Sequence, residues 1–308
     1  MFSKTTLTQV RPAAVKARTG VGLHQGKLRS LQGLIALSLV ATGASVHAST
    51  VSIRALQDAT IFGTAGGADT GNASGMGPGL HTGADGLLNM KRSMLQFDLA
   101  SAGIPANSTI DNVTLSLSLG QVPQSGGLPQ TIRLFDVAQS WSEGSSGSPT
   151  SDTLAGSGPG YPRENGDSTW DYSNYNSDPG IAIKWNNGVN DLHGGNFSPT
   201  ESASSIFTTL TPGTILTWNS ADMAADVQGW LNGANNNGWL LKSDLESTSR
   251  SVLGFWSKDG ATATGNPALA PTLEIVYSPV PETETYAMLL AGLGVLGAIV
   301  RRRKVIDK

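Results

Sequence analysis

Between Ser49 and Val280 the chain carries twenty Asp and Glu side chains against nine Lys and Arg. That surplus of carboxylates could serve two kinds of chemistry. A placed pair could supply the acid and base of a polysaccharide lyase or glycosidase, and hard carboxylate oxygens are what Ca2+ prefers. No pair stands out by spacing for the first role, and no segment repeats the EF-hand loop for the second. Histidine chemistry has only His81 and His193 to draw on in this stretch, too few for the usual His-rich zinc site, and no G-x-S-x-G elbow accompanies them. The aromatic side chains offer a third chemistry, because indole faces stack on the C–H faces of pyranose rings. Trp141, Trp170 and Trp185 stand beside polar loops together with Tyr161, Tyr172 and Tyr175, and their sequence neighbours are Ser, Gly, Asn and Asp. A core tryptophan needs apolar company, so Trp141, Trp170, Trp185, Tyr172 and Tyr175 are expected to be partly exposed and to form a glycan platform. The alternative is that the loops fold back and pack these rings as satellite clusters. Trp230 and Trp239 lie on apolar-patterned elements and read as core.

These side chains must be held by an all-β body. Gly, Ser, Thr, Asn and Asp separate short alternating apolar runs, the pattern of a β-sandwich, with strands expected at 51–56, 93–97, 112–119, 131–136, 215–218, 238–242, 251–256 and 272–277. Val113, Leu115, Leu117 and Leu119 alternate with Thr114, Ser116 and Ser118, which gives one buried face and one wet face. A single helix interrupts the strands. Asn219 or Ser220 can cap it, Met223, Val227, Trp230 and Leu231 form its apolar stripe, and Gly233 ends it. Residues 63–86 and 142–166 read as long loops, and the polar region 172–205 as loop with a short strand near 181–184. With no cysteine in the chain, the body depends on its hydrophobic core.

The order of the pieces resembles the DNRLRE-type domain, a jelly-roll β-sandwich of exported proteins related to disaggregatase-associated and carbohydrate-binding modules. The resemblance is carried by Asp58-Ala59-Thr60-Ile61, by Arg92 to Leu99 with Ile104-Pro105-Ala106, and by Ile110 to Leu117. It continues through Trp141-Ser142-Glu143, Thr169-Trp170, Asp226 to Trp230, Asn237 to Lys242, Phe255 to Asp259 and Pro271 to Tyr277. It implies a jelly roll over residues 49–279. In such a fold Asp58, near the first strand, and Asp259 or Glu274, near the last, can meet, so these three are the expected ligands of a structural Ca2+.

The two ends read as addresses. Six basic side chains and no acid precede the apolar run Leu31 to Ala41. With Val46-His47-Ala48 behind it, this is a secretory signal peptide cut after Ala48. At the other end, the apolar stretch Ala287 to Val300 is followed by Arg301, Arg302, Arg303 and Lys304. As a helix it covers about 21 Å, short of the roughly 30 Å hydrocarbon core, and the arginines favour the cytoplasmic side. Gly292 to Gly297 matches G-x-G-x-x-G by letter only, since no βαβ unit surrounds it. The order Val280-Pro281-Glu282, apolar span and basic cluster resembles the PEP-CTERM sorting signal. That resemblance implies recognition and cleavage by an exosortase after transient insertion in the inner membrane.

Removing six basic residues with 1–48, and five basic and three acidic ones with 281–308, leaves the body at −11, against −3 for the whole chain. So acidic a body is poorly suited to nucleic acid. The sequence therefore predicts a signal peptide at 1–48, a β-sandwich domain at 49–279 and a sorting signal at 280–308. The expected protein is exported to the cell surface or extracellular matrix, where it binds polysaccharide or serves as a structural component. A polysaccharide-degrading enzyme is the alternative.

Overall fold

The structure is a computed structural model and describes residues 47–123, 128–148, 154, 158–280, 288 and 290–299. The predicted signal peptide up to Val46 and the sorting residues Pro281, Glu282, Arg301, Arg302 and Arg303 lie outside the described residues. Met288 and Leu290–Ile299 are helical and exposed. No helix among the described residues is long and apolar enough to cross a membrane.

The body is all-β, as its alternation predicts. In chain order the strands are β1 (Ser49–Gly63), β2 (Asp69–Ser74), β3 (Gly79–Ala84), β4 (Met90–Phe97), β5 (Thr109–Gln121), β6 (Gln130–Val137) and β7 (Tyr161–Pro162). They continue as β8 (Tyr172–Asn174), β9 (Ile183–Lys184), β10 (Phe197–Phe207), β11 (Ile215–Asn219), β12 (Trp239–Ser243), β13 (Leu253–Trp256) and β14 (Thr272–Ser278). Six of them close a ring of antiparallel neighbours, β1, β4, β3, β13, β5, β14 and back to β1. From β4 the sheet also extends outward through β12 and β6 to β10.

Inside, Val113, Leu115, Leu117 and Leu119 of β5 are fully buried with Leu95, Phe97, Trp218, Trp239 and Phe255. Helix α1 (Ala221–Leu231) is the expected one. Ser220 caps it by accepting from the Met223 amide, and Met223, Val227 and Trp230 are buried against β5 and β10. The Trp230 ring lies 4.6 Å from that of Trp239.

Three expectations are corrected. The stretch 63–86 is not a long loop but carries β2 and β3, and every residue of β3 is buried. A strand covered on both faces loses the period of two, and its small residues are required by close packing. Gly83 has φ +107°, and a Cβ there would collide with the Ser251 carbonyl. The polar region 172–205 contains β8 and β10 as well as the expected short strand, because β10 lies at the end of its sheet and most of its residues face solvent at least in part. Finally, a second helix, α2 (Lys258–Ala263), follows β13, capped by Ser257 Oγ, which accepts from the Gly260 amide.

Replacing Leu115 or Leu117 by Ala should destabilise the body by about 2–5 kcal/mol, because each leaves a cavity; chemical denaturation measures this. Asp136 in β6 titrates in a useful range. Burial, with a smaller push from Asp226, raises its pKa to about 6, partly offset by a hydrogen bond with the Trp230 side chain. The native state therefore holds a proton that the unfolded chain releases near its usual pKa of about 3.9. Its contribution to stability falls as pH rises from about 4 to about 6. Asp136→Asn should remove about 1 kcal/mol of that pH dependence, a figure reduced for solvent screening at a half-buried site, as read from the difference between wild-type and variant unfolding curves across pH.

Candidate functional site

Asp58 of β1, Glu143 in the segment after β6 and Asp259 of α2 each bring one carboxylate oxygen within 4.8 Å of the others. Three distant stretches meet here because glycines let their backbones touch. A Cβ on Gly75 would strike the Glu143 carbonyl, and one on Gly260 would strike the Pro78 carbonyl, so the link from β2 to β3 passes closely between the Glu143 segment and α2. The fully buried Asp58 accepts the Lys258 amide on Oδ2 at 2.8 Å. Its own amide donates to Glu143 Oε1 at 2.8 Å. Lys258 Nζ donates to Glu143 Oε1 at 2.9 Å and to Asp259 Oδ2 at 2.8 Å. Asp58 Oδ1 finds no partner among the described residues.

The electrostatics follow from burial. Desolvation pushes the Asp58 carboxyl well above the usual carboxylate range; the Lys258 amide opposes this and Glu143 adds to it. Glu143 is also pushed up by burial, against hydrogen bonds from the Asp58 amide and Lys258. Burial pulls Lys258 down, but its bonds to Asp259 and Glu143 more than reverse that and hold it at about 12. The cluster is an ammonium-bridged knot in which a lysine stands among the carboxylates that a cation would use. Its oxygens are of the kind Ca2+ takes, but three carboxylates fall short of the six to eight oxygen ligands it needs, and Lys258 would have to swing out to admit it.

Two of the three expected calcium ligands, Asp58 and Asp259, are thus brought together, and Glu274 is not. It is exposed on β14 between the buried Leu273 and Ile275, so the alternation of that strand turns it outward. Glu143 takes its place. The sequence held that signal in Trp141-Ser142-Glu143, since this segment, Asp58 to Ile61 and Ser257 to Asp259 all converge on the knot.

The expected platform of exposed tryptophans is corrected. Trp141, Trp170 and Trp185 are buried, in a second cluster with Ala59, Ile61, Met94, Val137 and Leu240. Each indole N–H donates to a backbone carbonyl: Asn237 at 2.9 Å, Gly67 at 2.9 Å and Thr169 at 2.8 Å, respectively. Apart from Val137 at the end of β6, their apolar neighbours in the cluster sit on β1, β4 and β12, remote in sequence, so the polar company on their own segments was misleading. Arg92 closes the cluster. Its guanidinium lies 4.7 Å from the centre of the Trp170 ring and grips both Glu246 carboxylate oxygens, at 2.7 and 2.9 Å.

Tyr172 and Tyr175 stay half-buried at the surface, edge to face at 5.5 Å. Arg163 lies 4.1 Å over the Tyr175 ring and bonds to Asp69 at 2.9 Å. No protein-family model matches the chain, and neither does any curated protein.

Trp170→Ala and Trp185→Ala should each lower stability by about 3–5 kcal/mol, as buried aromatics do, while leaving retention on a polysaccharide column unchanged. Thermal melts and affinity electrophoresis measure the two effects.

Proposed function

We propose that this is an exported, exosortase-sorted protein of the extracellular polysaccharide matrix, built on a jelly-roll-related sandwich and acting as a binding or structural component. One observation carries the proposal. The folded body runs from Ser49 to Ser278, and Ser49 is the partner of Tyr277 in the β1–β14 ladder. The two expected processing points, after Ala48 and around Pro281, therefore flank paired strand ends, and cutting at both would leave every ladder of the body intact. The acidic body, −11 by sequence, suits a soluble matrix component. With Trp141, Trp170 and Trp185 committed to the core, the half-buried Tyr172 and Tyr175, beside Arg163, are what remains of the expected platform for a glycan. Calcium enters in a narrower form, with Asp58, Glu143 and Asp259 supplying three of its oxygen ligands once the Lys258 ammonium has swung out.

Intact mass of the protein recovered from the matrix should give a chain starting near Ser49 and ending near Pro281. Recovery with Arg301 to Arg303 attached would mean that exosortase does not process it. For calcium, Lys258→Met should raise Ca2+ affinity, since it removes the competing ammonium, and Glu143→Gln should abolish it. Melting curves with Ca2+ and with chelator should then separate the two variants. A melting temperature indifferent to Ca2+ in wild type and in Lys258→Met would remove calcium from the account.

A further inference from the structure

Among the described residues, seven of the nine basic side chains of the body are ion-paired, and Arg54 and Arg250 are not. Arg250 lines a cavity of about 280 Å³ between the β3–β4 turn and the segment after β12, together with Asp85, Lys91, Gln121, Val122 and Val252. A smaller one of about 90 Å³ shares Asp85 and Lys91 with it. Lys91 has a fully buried side chain whose ammonium meets Asp85 Oδ2 at 3.1 Å. Asp85 is itself fixed by its turn, accepting the Leu87 and Asn89 amides on Oδ1 at 2.8 and 3.0 Å. Lys91 and Asp85 cancel, so among the described lining residues Arg250 leaves a net charge of +1, inside a body of −11.

The backbone around this mouth is held in an uncommon conformation. Leu88 and Arg250 both have φ 64°, and only Asn107 shares the left-handed region among the other described non-glycine residues. Such conformations persist where the surroundings impose them and collect at ligand sites. Here the Arg250 amide donates to the Asp85 carbonyl at 3.1 Å, the Ser251 amide to the Ala84 carbonyl at 2.9 Å, and Ser249 Oγ to the Gly86 carbonyl at 3.2 Å. These bonds pin Arg250 to the turn at the cavity mouth.

We propose that this cavity binds a carboxylate-bearing sugar, a uronate unit of an acidic polysaccharide, with the Arg250 guanidinium as the carboxylate's partner. A guanidinium offers a planar fork that matches a carboxylate in two parallel hydrogen bonds. Val122 and Val252 give the ring an apolar wall, and Gln121 and Asp85 give its hydroxyls partners. The volume of about 280 Å³ falls just below the range of ligand pockets, roughly 300–1,000 Å³, which suits one sugar unit and no more. This assignment rests on the polysaccharide-binding function proposed for the protein and names the chemistry of its ligand.

The test titrates the full chain, wild type and Arg250→Gln, with glucuronate, glucose and acetate by calorimetry, alongside retention of both proteins on an acidic polysaccharide. Arg250 is exposed, so the variant should fold, and Arg250→Lys, which keeps the charge without the fork, serves as a second variant. Glucuronate should saturate one site on the wild type. Its affinity should fall about 10-fold or more in Arg250→Gln and less in Arg250→Lys, while glucose and acetate fail to saturate in the same range. Glucuronate affinity unchanged in Arg250→Gln, or acetate binding as tightly as glucuronate, would overturn the assignment. Equal retention of both proteins on the polysaccharide would reject the cavity and leave matrix binding standing, whereas no retention of the wild type would reject both.

Discussion

The fold depends on β1 belonging to two ladders at once. Its first half, Ser49 to Arg54, pairs with β14, and its second half, Ala55 to Gly63, pairs with β4. Without that one strand the ring of six does not close. The change of ladder is accompanied by a register shift between Ala55 and Gln57, and the buried Asp58 follows directly. A carboxylate in such a place must be matched, since an unpaired buried charge is expensive. The amide of Lys258 supplies one bond, and the carboxyl's raised pKa lowers the penalty by favouring the neutral form. Strand β1, the Glu143 segment and α2 are thereby fastened at the point where the ring turns.

The same economy governs the rest of the charge. Few cations serve many carboxylates, and most are spent on joining segments far apart in sequence: Arg92 to Glu246, Arg163 to Asp69, Arg133 to Glu201, Lys258 to Glu143. In a chain without cysteine these pairs, the two apolar clusters and the ladders hold the long connections against the sheet. Surface pairs contribute little singly. The bidentate Arg92–Glu246 pair is different, because both side chains are only about a tenth exposed and the guanidinium covers Trp170.

Much of this architecture was legible in the sequence. Strict alternation in β5 and the capped stripe of α1 gave their positions, because each buries one face and leaves the other wet. What escaped was whatever is buried on two faces. β3 reads Gly-Leu-His-Thr-Gly-Ala, with no period of two, since both of its faces are covered. Trp141, Trp170 and Trp185 looked exposed for the same reason: the outer face of β1, β4 and β12 is apolar at Ile61, Met94 and Leu240, and long polar segments fold over it, bringing their indoles with them. At the knot, Asp58 and Asp259 were legible as partners. Glu274 was misplaced because nearness in the chain to the last strand says nothing about which face a residue takes. The Arg250 cavity had no sequence signal at all, since it is made by a turn and a loop that come together only on folding.

The central claim is that β1 closes the ring through both of its ladders, which makes residues 49–278 one cooperative unit with its ends paired. Native-state hydrogen exchange tests this most directly. The account predicts that amides in the ladder of Val51 and Ile53 with Leu273 and Ile275 exchange only through global unfolding, with the same free energy as those of Val113 and Leu115 in β5. Exchange of the β1–β14 amides by local opening, at a free energy well below that of β5, would show that the ring is not closed there and would contradict it.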